Sequence, residues 1–261
     1  YVNSSSSQIG GLIGESQTGT VLNCSAAGNV SSSSYAGGLI GYNQNTSVSA
    51  SHATGNVSIT GSVAGGLIGF SFDGSAVSNT YATGNVSGTG TLGGIIGSNE
   101  DNSPVTNCSA SGSVTGTSGM GGLIGQNIDS PLFNCSASGD VSGTGTLGGL
   151  AGRNNGAVSN CSATGNVSAT GDYVGGLIGE NSFGGAVSNS SAVGAVSGSS
   201  YIGGLTGENE ENSSIYGSHA TGNTSGSEII GGLVGLNNAS TSDSYATGKV
   251  TGNRHVGGFA G

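Results

Sequence analysis

The chain has 261 residues, of which 56 are glycine and none tryptophan, so large side chains cannot fill a thick interior and any core is a thin one of Leu, Ile, Val and Ala. Three Lys or Arg stand against thirteen Asp or Glu, and a net charge of -10 excludes the basic footprint that nucleic acid or anionic lipid requires. No run of about eighteen apolar residues occurs, so membrane insertion is not expected, and no signal peptide is read in the chain as given.

Gly-Gly doublets recur in phase, beginning at Gly10, Gly37, Gly65, Gly93, Gly121, Gly148, Gly175, Gly203, Gly231 and Gly257, at intervals of 26 to 28 residues. A fixed period in this range marks a repeat architecture, in which one unit cannot bury its apolar face alone and stacks on copies of itself. Residues 1–261 are therefore expected to form a single repeat domain. Neither end carries a polar capping element, which suggests a segment of a longer chain or a subunit that polymerises. Disorder, the usual reading of a Gly- and Ser-rich chain, is countered by apolar residues held at constant phase.

Within each repeat the doublet comes first, preceded by one apolar column and followed by a second: Leu12, Leu39, Leu67, Ile95, Leu123, Leu150, Leu177, Leu205, Leu233 and Phe259. The next residue is usually Ile, and two neighbours cannot both point inward from a regular strand, so one faces elsewhere or the backbone bends beside the glycines. A variable stretch follows, as between Gly14 and Val21, and reads as a surface loop. A short wall is centred on Val21, Val48, Val77, Val105, Leu132, Val158, Val187 and Ile215. The last block alternates strictly: Cys24, Ala26, Gly28 and Val30 on one side, Asn23, Ser25, Ala27 and Asn29 on the other, predicting one strand of about eight residues. Its valine column (Val30, Val57, Val86, Val114, Val141, Val167, Val196, then Thr224 and Val250) holds its character down the chain, as stacked parallel strands require. The fold expected is all-β, a parallel β-solenoid of about nine rungs of 27–28 residues with no helix, and rungs spaced by about 4.8 Å would make a rod roughly 43 Å long.

The block Gly37-Gly38-Leu39-Ile40-Gly41, repeated at Gly65–Gly69, Gly121–Gly125 and Gly175–Gly179 and followed by NCSATGNVSG-like segments, resembles the GLUG motif repeat. Such repeats occur in large secreted and surface proteins of bacteria and archaea, adhesins and some immunoglobulin-cleaving metallopeptidases among them. The resemblance implies an extracellular or cell-surface region acting as stalk or adhesive surface, with no catalytic residues in this segment.

Chemistry-bearing patterns are sparse. No His-Glu-x-x-His motif is present, and His52, His219 and His255 lie far apart, so no catalytic residue, metal or cofactor is assigned. Cys24, Cys108, Cys135 and Cys161 share one inner column with Ser and Thr, which asks for a small buried side chain. Successive rungs would bring Cys108, Cys135 and Cys161 within reach of a disulfide, but directly stacked Cβ atoms lie farther apart than the bond prefers, so free buried thiols are expected. Asn-x-Ser/Thr sequons fall mainly in two outward columns: Asn23, Asn107, Asn134, Asn160 and Asn189 in one, Asn29, Asn56, Asn85, Asn166 and Asn223 in the other. Two uses suit them, N-glycosylation or a ladder of stacked side-chain amides. Thr54, Thr83, Thr164, Thr221 and Thr247 form a row beside them that raises ice binding, although Ser111, Ser138 and Val193 interrupt it. Acidic residues after the doublets, such as Glu180, Glu208 and Glu210, supply too few oxygens per loop for calcium and read as solvated charge. The function expected is that of a non-enzymatic stalk or fibre subunit, self-associating head to tail or continuing into flanking repeats. The alternative is a binding module whose flat polar face or loops recognise a glycan, a host surface or ice.

Overall fold

A computed structural model of the chain describes residues 1–4 and 7–261. Every regular element among them is a strand, and the strands wind into a parallel β-solenoid. One turn shows the plan: Val30–Ser32, Tyr35–Gly37, Ile40–Gln44, Thr46–Ser49 and His52–Ala53, after which Val57–Ile59 begins the next turn. Each strand pairs in register with its copies above and below, as in Val57 between Val30 and Val86, or Ile68 between Ile40 and Ile96. Five parallel sheets therefore run the length of the coil, two of ten strands and three of nine.

Five strands per turn replace the three walls read from the sequence, and the strand of about eight residues is two. The alternation of the last block is real, since Ala53, Gly55 and Val57 are buried while Thr54 and Asn56 are exposed. The chain nevertheless turns a corner at Gly55, where backbones of adjacent rungs approach so closely that a Cβ would lie 2.1 Å from the Gly28 carbonyl oxygen. Periodicity of two survives such a corner, so the pattern could not show it.

The interior is two cores rather than one. The larger joins the Leu39, Ile40, Val48 and Ala53 columns, and the smaller joins the Val57 column with the residues that precede each doublet, such as Ala64, Leu92 and Met120. Between them the coil is pinched: a Cβ on Gly38, Gly66 or Gly94 would meet the Cβ of Ala53, Ala82 or Ala110 at 2.7–3.1 Å and the next rung's carbonyl oxygen at 2.0–2.1 Å. The doublet thus lets two walls touch. Leu39 and Ile40 are both fully buried in the same core, because the backbone bends at the doublet before the strand restarts at Ile40.

Candidate functional site

The two sequon columns have different structural duties. Asn23, Asn79, Asn107, Asn134, Asn160 and Asn189 all adopt φ of 47 to 54°, as do Ala50 and Asp243 near 50° and Gly217 at 58°. This is a left-handed turn column, and Asn is the commonest non-glycine residue to tolerate it. Its side chains also stack: Asn134 Nδ2 donates to Asn107 Oδ1 at 2.6 Å, and Asn107 Nδ2 to Asn79 Oδ1 at 3.2 Å. In the second column the side-chain oxygen caps the next rung, with the backbone N–H of Asn56, Asn85 and Ser113 donating to Oδ1 of Asn29, Asn56 and Asn85 at 2.9 Å. Asn166 and Asn223 do the same for Ala195 and Lys249. The ten sequon asparagines of these two columns are all exposed.

A third asparagine column, missed in the sequence because it sits beside the doublet block without sequons, forms the longest ladder. Asn99, Asn127, Asn154, Asn181 and Asn209 each donate Nδ2 to Oδ1 of the asparagine one rung on, at 2.8–3.1 Å, ending at Asn237. Most also donate to a loop carbonyl, as Asn127 does to Ser130 at 2.7 Å. The members from Asn99 to Asn209 are buried. The chief amide ladder is internal, whereas the sequence reading placed it on the solvent face.

Cys108, Cys135 and Cys161 are buried and Cys24 half-buried, all as free thiols. The column asks for more than small size. Ser51 Oγ accepts the Cys24 N–H at 3.0 Å and donates to the Ser49 carbonyl at 2.8 Å, and Cys161 Sγ repeats the pair with the Cys135 N–H and the Ser159 carbonyl. Ser and Cys alternate here because both give and take a hydrogen bond. Hydrogen bonding to Cys135 and burial push the Cys108 thiol far above its ordinary range.

The threonine row lies in the corner between two sheets, so Thr54 and Thr83 sit outside any strand rather than on a flat face. Aromatic residues, scattered in the sequence, are gathered by the coil. Tyr42 stacks on Phe70 at 5.5 Å with Tyr35 edge-on to both, and His52–Tyr81, Tyr173–Tyr201 and His219–Tyr245 stack at 4.6–4.9 Å between adjacent rungs. Among the described residues no group of three or more His, Cys, Asp or Glu is placed to hold a metal ion.

The outward face after the doublets carries a recess of about 260 Å³ lined by residues including Gln126, Ile128, Arg153, Asn155, Glu180 and Phe183. Arg153 Nε lies 3.2 Å from Glu180 Oε2. Asn155 Oδ1 accepts the Asp129 N–H at 2.7 Å. Phe183 stands at the rim, 81% exposed, with φ of 50°. Glu208 and Glu210 lie on the following turn: burial, then Glu210 and Glu180, raise the Glu208 carboxyl, and burial and Glu180 raise that of Glu210 against the pull of Arg153.

The family model described as the GLUG motif matches residues 5–31, 32–58, 88–115, 116–142, 143–168 and 226–251, well over half of the chain. This chain belongs to the GLUG-motif family. Each matched GLUG unit covers one turn of the coil, holding one doublet and closing on the next valine strand. The intervening turns, residues 59–87 and 169–225, have the same GLUG coil geometry. No curated protein matches the chain in sequence. Among solved structures, a candidate immunoglobulin A1 protease from Bacteroides ovatus is similar over 93% of this chain and 68% of its own, with 21% identity and a TM-score of 0.40. Nothing about the activity of the GLUG coil follows from that likeness.

Proposed function

We propose that the chain is a non-enzymatic structural region of an extracellular or cell-surface protein, serving as stalk, adhesin shaft or fibre subunit. The observation that carries this reading is the set of five uninterrupted, in-register parallel sheets, which makes bending or stretching the coil break many backbone hydrogen bonds at once. A spacer needs that stiffness and a polar exterior, and the exposed asparagines and serines supply the second. The partner this reading calls for is another stack of rungs, either further repeats or a second copy, because parallel sheets running the length of the coil pair backbone to backbone from one rung to the next.

N-glycosylation fits the column of Asn29, Asn56, Asn85, Asn166 and Asn223, whose structural work is done by Oδ1. Asn107 and Asn134 already use Nδ2 in their stack and are the poorer acceptors. Electron microscopy and sedimentation of the native protein test the proposal. Rods about 43 Å long for one chain, or end-to-end multiples, are expected; compact particles at all concentrations would reject it. Labelling of intact cells with an impermeant reagent tests the location, and peptide mass mapping tests the sugars.

A second reading, a binding module, is favoured by the aromatic groups the coil assembles on its outer face, Tyr35, Tyr42, Phe70 and Phe72 in particular.

A further inference from the structure

We propose that the recess bounded by Gln126, Arg153, Asn155, Glu180 and Phe183 binds a single neutral pyranose ring, an inference that rests on the binding-module reading and sets its site further along the strand column that carries Tyr42 and Phe70. The first observation is Phe183 itself. Its position in the turn is filled in other rungs by Asp73, Asp101 and Asp129, all with φ of 48 to 61°, a conformation Asp tolerates through its short polar side chain. Phenylalanine at φ 50° has no such compensation, and at 81% exposure it buries nothing. A residue that suits neither the local backbone nor the solvent marks a site where something other than folding sets the choice.

The second observation is the chemistry around it. Charged residues are 6% of the chain, yet Arg153, one of only three cations, lies here paired with Glu180. The ion pair with Glu180 is made through Nε and the Arg153 side chain is 53% exposed, so its guanidinium can reach a ligand in the recess that the Gln126 amide also lines. Planar guanidinium, carboxylate and amide groups present paired donors and acceptors, the geometry that vicinal hydroxyls meet, while Phe183 and Ile128 offer apolar surface to the C–H face of a sugar. At about 260 Å³ the recess lies below the roughly 300–1,000 Å³ of sites for drug-sized ligands, which leaves room for no more than one ring. Glu208 and Glu210 beside it, on a chain of net charge -10, disfavour an anionic sugar.

Saturation-transfer NMR on the 261-residue chain tests this, with the methyl glycosides of glucose, galactose, mannose and N-acetylglucosamine as neutral probes and sialic acid as the anionic one. Transfer to at least one neutral glycoside is expected, with affinity falling at least tenfold in both Phe183→Asn and Arg153→Gln. Phe183→Asn places a turn-tolerant residue there, so the fold is kept, and Tyr245→Ala, an exposed aromatic outside the recess, leaves binding unchanged. Binding that survives both substitutions overturns the assignment to this recess and leaves a binding module standing. Absence of transfer to every probe, or transfer to sialic acid alone, overturns the proposal and leaves the scaffold reading intact.

Discussion

Asn99 keeps a buried side-chain carbonyl oxygen with no donor, because the residue one rung back in the ladder is Ser71. Elsewhere that position supplies an amide nitrogen, as Asn99 does for Asn127 at 3.1 Å. The substitution Ser71→Asn is expected to complete the ladder and raise stability by about 1 kcal/mol, read as a higher thermal midpoint by circular dichroism. The thiol column gives a second test at this scale. Cys108 and Cys135 are held protonated, the latter with its thiol at about 12: the bond to Cys108 pulls it down, and the bond to Cys161 and burial outweigh that pull. Only the thiolate alkylates, so iodoacetamide at about pH 8 should modify Cys108 and Cys135 last, behind half-buried Cys24 and behind Cys161, whose thiol the hydrogen bond with Cys135 lowers against the effect of burial, with all four reacting after denaturation, as followed by peptide mass spectrometry. A sequence can mark the ladder column by its repeated Asn, but not that it faces inward, because Gly-Gly, bend and strand restart intervene between it and the nearest alternating block.

At the scale of the strand and its turn, the doublet decides the cross-section. The apolar columns were legible because identical residues stack on themselves; the division into two cores was not, since contact between the Gly66 and Ala82 columns is made by two small residues that leave no hydrophobic signature. Gly66→Ala would place a Cβ 2.1 Å from the Gly94 carbonyl oxygen and 3.1 Å from the Ala82 Cβ, both on the rigid backbone or next to it. A loss of about 3 kcal/mol or more is expected, measured by urea unfolding. The outward strand after the doublet makes an opposite prediction. Burial, then Glu210 and Glu180, raise the folded-state value of Glu208 above the ordinary 4.5, so the fold favours its neutral form. That contribution is present in full below the unfolded value and is lost as pH rises through the folded one. Glu208→Gln should therefore raise the thermal midpoint at pH 7, and the gain should shrink toward about pH 3.5, where the wild-type carboxyl is protonated. An equal gain at both would assign the effect to packing. The recess itself was not legible as a site: its residues come from three turns, and only the misfit of Phe183 among turn-forming Asp residues left a trace in the sequence.

For the molecule as a whole, a coil whose rungs contact only their neighbours should tolerate the loss of one complete turn far better than the loss of part of one. Val114 pairs with Val141 and Thr115 with Ser142, so deleting residues 115–141 joins Val114 directly to the residue that already sits in register beyond it. Both cores continue across the junction, since Leu92, Ile95 and Ile96 then face Leu147, Leu150 and Ala151 through the turn that follows. The deletion variant is expected to keep a cooperative unfolding transition with a smaller denaturant slope, because less surface is exposed on unfolding. Its scattering profile should report a rod shorter by about 4.8 Å. A deletion trimmed to half a turn, residues 115–128, would set Val141 against Asn99 and place Asn134 and Ser138 in the Leu92 and Ile96 columns, and it should fail to fold. If both deletions behaved alike, the stability of this chain would not be a sum of stacked, equivalent rungs, and the rigid-spacer reading would lose its physical basis.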